Sequence, residues 1–144
     1  LRVDKLTIAA LEGTLLEYLS GDPRQHIPVI RMLTLPLEQL RENAEELREK
    51  LEQTLDGNPQ VSKLEVIALE DMVGGGAYPT YKLPGYGVQL ALRGKSLEAA
   101  ARALRMLEPA LLTRRQEDAL LLSVRTLLPG DQEEVAGLLA QVLQ

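Results

Sequence analysis

Few side chains in this sequence have the chemistry of a catalytic or metal-binding group. The 144 residues include no cysteine and a single histidine, His26. A thiolate nucleophile, a disulfide and a cysteine- or histidine-rich metal site are therefore excluded. His26 lies in a proline-flanked stretch, where we favour an exposed loop histidine over a functional role. The carboxylates lie mostly between leucines on helix faces, a pattern typical of solvated surfaces.

A glycine-rich stretch is the most unusual part of the chain. Gly74, Gly75 and Gly76 are followed by several prolines and by three of the four tyrosines. Glycine permits positive φ and close backbone approach, and proline restrains the path of a loop. Long loops of this kind between strands are often functional. The stretch lacks the lysine and the helix of a phosphate-binding loop, so a functional loop and a plain structural connection both remain open.

A charged cluster at the beginning of the chain is the second candidate site. Arg2, Asp4 and Lys5 precede a run of apolar helical residues. The cluster is a solvated helix end, an ion-pair network or an anion clamp, because the guanidinium fork of Arg2 suits phosphate-like oxygens.

The elements that must position these residues begin with a helix over residues 3–19. It is apolar on more than one face, so we expect it to be buried between two masses, the second being a missing N-terminal part of a longer protein. Breakers end it near Gly21, and Val29–Leu35 has no clear assignment. Leucines then repeat at helical spacing from Leu37 to Leu55, with Thr34 as the expected N-cap.

The pattern changes after residue 60 and alternates pairs of strands with helices. The expected elements are strands Val61–Leu69 and Val88–Leu92, a helix Ser96–Leu107, a hairpin of Leu111–Arg115 with Leu120–Arg125, and a helix opened by a capping box of Asp131 and Glu134. This order predicts an α+β fold, with a linking helix followed by a small antiparallel-rich sheet and helices on one face. We expect residues 1–35 to form a linking helix and connector from a missing large domain, and residues 36–144 to form the small α+β domain.

Composition limits the class of protein. Hydrophobic residues make up 45% and charged residues 26% of the chain, which is typical of a globular domain. The net charge of −5 argues against nucleic-acid phosphate as the direct partner of this segment. No signal peptide and no apolar run of the ~20 residues of a membrane span are visible, so we expect a cytoplasmic protein. Because the chain starts at Leu1 inside a helical pattern, we expect a fragment.

Four segments together resemble one enzyme family. They are Leu-Arg-Val-Asp-Lys-Leu-Thr-Ile-Ala-Ala-Leu-Glu-Gly-Thr-Leu at residues 1–15, Ile-Pro-Val-Ile-Arg-Met-Leu-Thr at 27–34, Val-Gly-Gly-Gly at 73–76 with Leu83-Pro84, and Leu-Ser-Val-Arg-Thr-Leu at 122–127. The sequence is similar there to bacterial selenocysteine synthase, the L-seryl-tRNA(Sec) selenium transferases. The resemblance covers nearly the whole chain.

The resemblance implies a fold-type I pyridoxal-phosphate enzyme, of which this chain would be the C-terminal small domain and the connecting helix. The parent would convert seryl-tRNA(Sec) to selenocysteinyl-tRNA(Sec) with selenophosphate as donor, using pyridoxal phosphate as electron sink. It would be a homo-oligomer, and its tRNA-binding N-terminal region would be missing here.

The resemblance also assigns residues. The Schiff-base lysine of the family falls before Leu1, and Lys5 falls on the helix that follows it. This segment would therefore have no catalytic, cofactor-binding or metal-binding residue, and no activity alone. Arg2 matches an arginine that helps to bind the anionic selenium donor. Two alternatives remain: a pyridoxal-phosphate lyase or ammonia-lyase of the same fold, and a non-catalytic ferredoxin-like sensing or dimerisation domain.

Overall fold

The computed structural model describes residues 2–73 and 81–144. The helices are α1 (Lys5–Leu19), α2 (Pro23–His26), α3 (Pro28–Thr34), α4 (Leu37–Thr54), α5 (Leu97–Arg105) and α6 (Asp131–Val142), and the strands are β1 (Val61–Met72), β2 (Lys82–Leu92), β3 (Arg114–Gln116) and β4 (Ala119–Ser123). Contacts divide the chain into two compact units, Leu1–Leu35 and Pro36–Gln144. Among the described residues, none of the helices combines the length and the hydropathy of a membrane span.

The second unit is built on a four-stranded antiparallel sheet in the order β1-β2-β4-β3. Helix α4 packs on β1 and β2, α5 packs on β4, and α6 contacts both α4 and α5. The α+β prediction is confirmed, as is the alternation of strand pairs with helices.

The core of this unit lies between α4 and the middle of the sheet. Four residues of α4 at helical spacing have no exposed surface: Leu40, Ala44, Leu47 and Leu51. Val88 and Leu90, which alternate along β2, are equally buried. The apolar side chains that repeat every 3.6 residues on α4 and every 2 residues on β2 therefore pack in one layer, as their spacing predicted.

Strand β2 is longer than the sequence predicted. It begins at Lys82 and includes Pro84 and two glycines, which are unusual inside strands. It forms because β1 offers a continuous antiparallel partner, with Glu70 opposite Pro84 and Leu69 opposite Gly85. The pairing of the two strands thus overrides the weak local preference for strand.

Two predicted caps are wrong. Thr34 is the last residue of α3, where its hydroxyl donates to the carbonyl of Ile30 at 2.8 Å, and α4 starts after Pro36. Asp131 does not form a capping box, because Gly130 with φ 98° is the N-cap of α6. The carboxylate of Asp131 instead accepts from the Leu128 N–H at 2.8 Å. The hairpin is confirmed with shorter strands than predicted, around a turn at Glu117 with φ 51°.

The first unit contains α1, α2 and α3, the last of which covers most of the stretch that the sequence left unassigned. The helix predicted over residues 3–19 is confirmed as α1. Within this chain no residue of α1 is buried, and its large apolar side chains are exposed on several faces, including Leu6 and Leu19 at 81%. A helix that is apolar on several faces is covered when it lies between two masses, and we expect the second mass from a part of the protein outside this chain. Burial of α1 therefore stays a prediction about the longer protein.

We predict that the 144-residue chain self-associates through α1, because each Å² of apolar surface removed from water contributes about 25 cal/mol. Sedimentation velocity should show concentration-dependent association that added salt does not weaken. The double variant Leu6→Lys/Leu19→Glu should be monomeric at concentrations where the wild type associates.

The control is Met106→Lys/Leu112→Glu, which changes two equally exposed apolar residues of the second unit and leaves the net charge the same. A monomeric wild type, or equal effects of the two double variants, would contradict the prediction.

Candidate functional sites

The charged cluster at the beginning of the chain contains a helix cap. One carboxylate oxygen of Asp4 accepts from the Leu6 N–H at 2.6 Å, and the other accepts from the Thr7 hydroxyl at 2.8 Å. The backbone hydrogen bond from Leu6 and, after it, the Thr7 hydroxyl hold the pKa of Asp4 below its ordinary value. Asp4 is therefore an ionised N-cap of α1, a role that an aspartate just before an apolar helical run typically has.

Arg2 lies two residues before this cap, with an exposed side chain. Lys5, also exposed, begins the helix. The N-terminal end of a helix carries a partial positive charge. The ionised Asp4 offsets that partial charge, so the positive charge at this end comes from the exposed side chains of Arg2 and Lys5. This geometry is compatible with the anion clamp, one of the three interpretations that the sequence left open.

The other sequence candidates are less informative. Gly74, Gly75 and Gly76 lie outside the described residues. His26 is exposed as expected, although it ends α2 rather than lying in a loop, and its Nδ1 is 2.8 Å from a carboxylate oxygen of Glu17. Within residues 2–73 and 81–144, no group of three or more aspartate, glutamate or histidine side chains is placed to hold a metal ion.

A buried ionic cluster in the sheet is the site that sequence reasoning missed. Asp71, at the end of β1, and Arg125, just after β4, are only 8% and 6% exposed. The Arg125 Nε donates to Asp71 Oδ2 at 3.0 Å, and the Arg114 Nη2 donates to Oδ1 at 2.9 Å. The Ser123 hydroxyl lies 3.1 and 3.2 Å from the same two oxygens. We call Asp71, Arg114, Ser123 and Arg125 the Asp71 cluster.

The glycines of β2 make room for this cluster. A Cβ on Gly85 would lie 2.8 Å from Asp71 Oδ2, and a Cβ on Gly87 would collide with the Leu122 carbonyl oxygen. Because β2 lies between β1 and β4, the carboxylate of Asp71 reaches β4 across Gly85, whereas Gly87 leaves room for the close approach of the β4 backbone. The guanidinium of Arg125 also donates to the Pro84 carbonyl at 2.6 Å, which adds the backbone of β2 to the same set of bonds.

The Asp71 cluster is suited to cross-linking strands rather than to acid–base catalysis. Arginine stays protonated in proteins, so Asp71 accepts hydrogen bonds from two permanent cations. The cluster links all four strands at the end of the sheet where β1 finishes and β2 begins. The sequence gives little indication of this cluster. Its two arginines and the glycines of β2 are far from Asp71 along the chain, and no periodicity relates them to it.

We predict that Asp71→Asn lowers the free energy of unfolding by about 3–5 kcal/mol, because it leaves the buried guanidinium of Arg125 without its counter-charge. The matched control is Glu70→Gln on the neighbouring residue, whose ion pair with Lys82 at 2.6 Å is exposed. This control should change stability by less than about 1 kcal/mol. Urea unfolding of the three proteins measures both values, and equal effects would show that Asp71 holds the sheet no more firmly than a surface pair does.

Comparisons with known proteins agree with the resemblance seen in the sequence. Residues 1–128 match the family model described as SelA, L-seryl-tRNA selenium transferase. The chain is 38% identical over 145 aligned positions to the L-seryl-tRNA(Sec) selenium transferase of Moorella thermoacetica, which covers 100% of this chain and 30% of that protein. The proteins of the same name from Solidesulfovibrio magneticus and Aquifex aeolicus are 42% and 38% identical, over 31% and 30% of their lengths.

The chain thus spans about 30% of the length of the curated relatives that it matches. The match to the family model nevertheless covers most of the chain, including the first unit, the Asp71 cluster and all four described strands of the sheet. The chain belongs to the L-seryl-tRNA selenium transferase family.

Proposed function

We propose that this chain is a segment of a larger enzyme that converts seryl-tRNA(Sec) to selenocysteinyl-tRNA(Sec) with selenophosphate as selenium donor. The observation that carries the proposal is identity of 38% along the whole chain to a relative named L-seryl-tRNA(Sec) selenium transferase. The alternatives, a lyase or ammonia-lyase of the same fold and a ferredoxin-like sensing domain, are not favoured, because the relatives compared carry the transferase name.

Pyridoxal phosphate, the cofactor of the proposed enzyme, does not fit the lysines of this chain. A lysine that forms a Schiff base needs an unprotonated amine, which a desolvated pocket favours. Here the ammonium groups of Lys50, Lys63 and Lys82 pair with glutamates, that of Lys95 donates to the Val142 carbonyl, and Lys5 is exposed. The pKa of Lys82 is even raised, first by its hydrogen bond to Glu70. We therefore assign the cofactor to other parts of the enzyme.

The contribution of this chain to the reaction would be made by Arg2. The selenium donor is an anion with phosphate-like oxygens, which the planar guanidinium fork binds with two parallel hydrogen bonds. Two features support this assignment: the exposure of Arg2, and the engagement of the nearby carboxylate of Asp4 by the Leu6 N–H and the Thr7 hydroxyl of α1. Arg2 would orient the donor and balance its charge, while the cofactor supplies the electron sink.

The remaining parts of the proposal concern assembly and location. The enzyme would be a cytoplasmic homo-oligomer whose tRNA contacts include a region outside this chain. The exposed apolar surface of α1 supports assembly, because large apolar patches of soluble proteins commonly mark interfaces. The glycine loop with Gly74, Gly75 and Gly76 stays a proposed functional loop on the grounds of its sequence alone.

We predict that the 144-residue chain alone forms no covalent lysine adduct with pyridoxal phosphate at neutral pH. Incubation, dialysis and borohydride reduction, followed by intact-mass measurement, should leave the mass unchanged. The control is a longer protein that contains the same segment, which should gain one reduced adduct. A stoichiometric adduct on the isolated chain would overturn the assignment of the cofactor to other parts of the enzyme.

We predict that Arg2→Ala in such a longer protein lowers kcat/KM for the selenium donor about tenfold to a hundredfold. Loss of a charge-assisted hydrogen bond to the donor weakens binding or transition-state stabilisation by about 1.5–3 kcal/mol. Loss of an exposed ion pair lowers the free energy of unfolding by less than about 1 kcal/mol. Arg2→Lys should recover part of the activity, since an ammonium lacks the planar fork. Donor-dependent kinetics and a melting curve measure the two effects.

Arg24→Ala is the matched control for this experiment. Arg24 is another exposed arginine of the first unit, at the beginning of α2. Normal donor kinetics of Arg2→Ala together with a large fall in Tm would assign Arg2 to a structural ion pair instead.

A further inference from the structure

Charge is unevenly distributed in the second unit, Pro36–Gln144. Helix α4 contains six acidic and three basic residues, and α6 contains three acidic residues and no lysine or arginine. From Arg93 to Arg115, in contrast, the chain has six basic and two acidic residues. The net charge of −5 is therefore an average over an acidic region and a basic one.

The acidic α4 and the basic α5 lie over different ends of the sheet. Helix α4 packs on β1 and β2, and α6 contacts both α4 and α5. The basic α5 packs on β4, next to the edge strand β3. The order β1-β2-β4-β3 thus separates α4, at one end of the sheet, from α5 and β3 at the other end.

Three exposed arginines define what we call the α5–β3 basic surface: Arg102, Arg105 and Arg115. Arg102 and Arg105 are three residues apart on α5, so their side chains are neighbours on one helix face. Arg115 belongs to β3, and its Nη1 lies 3.9 Å from a carboxylate oxygen of Glu98 on α5, which brings the strand next to the helix. Glu98 is a single carboxylate among these three cations, so the surface keeps a positive charge.

The exposed side of α5 is open to a ligand. A shallow groove of about 510 Å³ is lined there by Ser96, Glu98, Ala99, Arg102, Ala103 and Met106. Because the two alanines leave the helix surface low, the backbone of a polyanion can approach Arg102 without a steric clash.

We propose that the α5–β3 basic surface binds the sugar–phosphate backbone of RNA. Guanidinium groups are preferred partners of phosphate, and contacts to phosphates supply most of the sequence-independent affinity for nucleic acid. The acidic α4, at the other end of the sheet, repels the same backbone and so orients the domain with α5 toward it. The choice of RNA as the polyanion rests on the proposed function. The net charge of −5 argued against a nucleic-acid partner, but this total hides the basic region around α5.

The test is fluorescence anisotropy of a labelled RNA duplex of about 20 base pairs with the 144-residue chain, at salt concentrations from about 50 to 200 mM. The variant is Arg102→Ala/Arg105→Ala. The matched control is Arg41→Ala/Lys63→Ala, which removes two exposed cations from α4 and β1 and gives the same net charge. The variant should bind about tenfold more weakly at low salt, and the slope of log K against log salt should fall by about 2.

Three results would overturn the inference: no binding by the wild type at low salt, equal weakening by the control, or an unchanged salt slope. Salt-sensitive self-association that only the α5 variant abolishes, with RNA binding intact, would instead assign the surface to the acidic side of a second copy. RNA binding and donor kinetics are separate measurements. A negative RNA-binding result does not affect the proposed role of Arg2, and normal donor kinetics of Arg2→Ala do not affect the proposal for this surface.

Discussion

The carboxylate of Asp71 is the constraint on which the sheet of this protein depends. It is nearly buried, and a buried charge is tolerated only when cations and hydrogen-bond donors surround it. Arg114, Ser123 and Arg125 supply them from β3, from β4 and from the residues after β4. The carboxylate reaches these partners across Gly85, where a Cβ would lie 2.8 Å from its Oδ2. One ionic requirement thus relates Gly85, two arginines and the strands that the cluster links.

The same cluster explains how an irregular sequence becomes a regular strand. The segment that begins with Lys82 contains a proline and two glycines, and by itself it has little preference for extended structure. The bond from Arg125 to the Pro84 carbonyl secures the backbone on one side, and pairing with β1 secures it on the other. Strand β2 is therefore held by side-chain charge as well as by the ladder of backbone hydrogen bonds.

The two units contribute different physical features to the proposed enzyme. The first unit combines an exposed apolar helix with the exposed cations Arg2 and Lys5 near its N-terminus, which suits contact with other protein and with a small anion. The second unit has its own core and a separation of charge across its helix layer, which suits a polyanion on one side only. Neither unit has a lysine in the environment that a Schiff base requires, so the described residues support binding and orientation rather than the covalent steps.

The sequence by itself determined the elements whose information is local or periodic. The leucine spacing of α4, the alternation in the middle of β2 and the order of strands and helices were sufficient for the α+β class. The four segments that resemble the selenium transferases together indicated the family. Tertiary structure alone decided the extent of β2 and the Asp71 cluster. These depend on which backbone donors and which distant charges come together after the strands pair, and burial of Asp71 beside Arg125, 54 residues away, leaves no periodic trace in the chain.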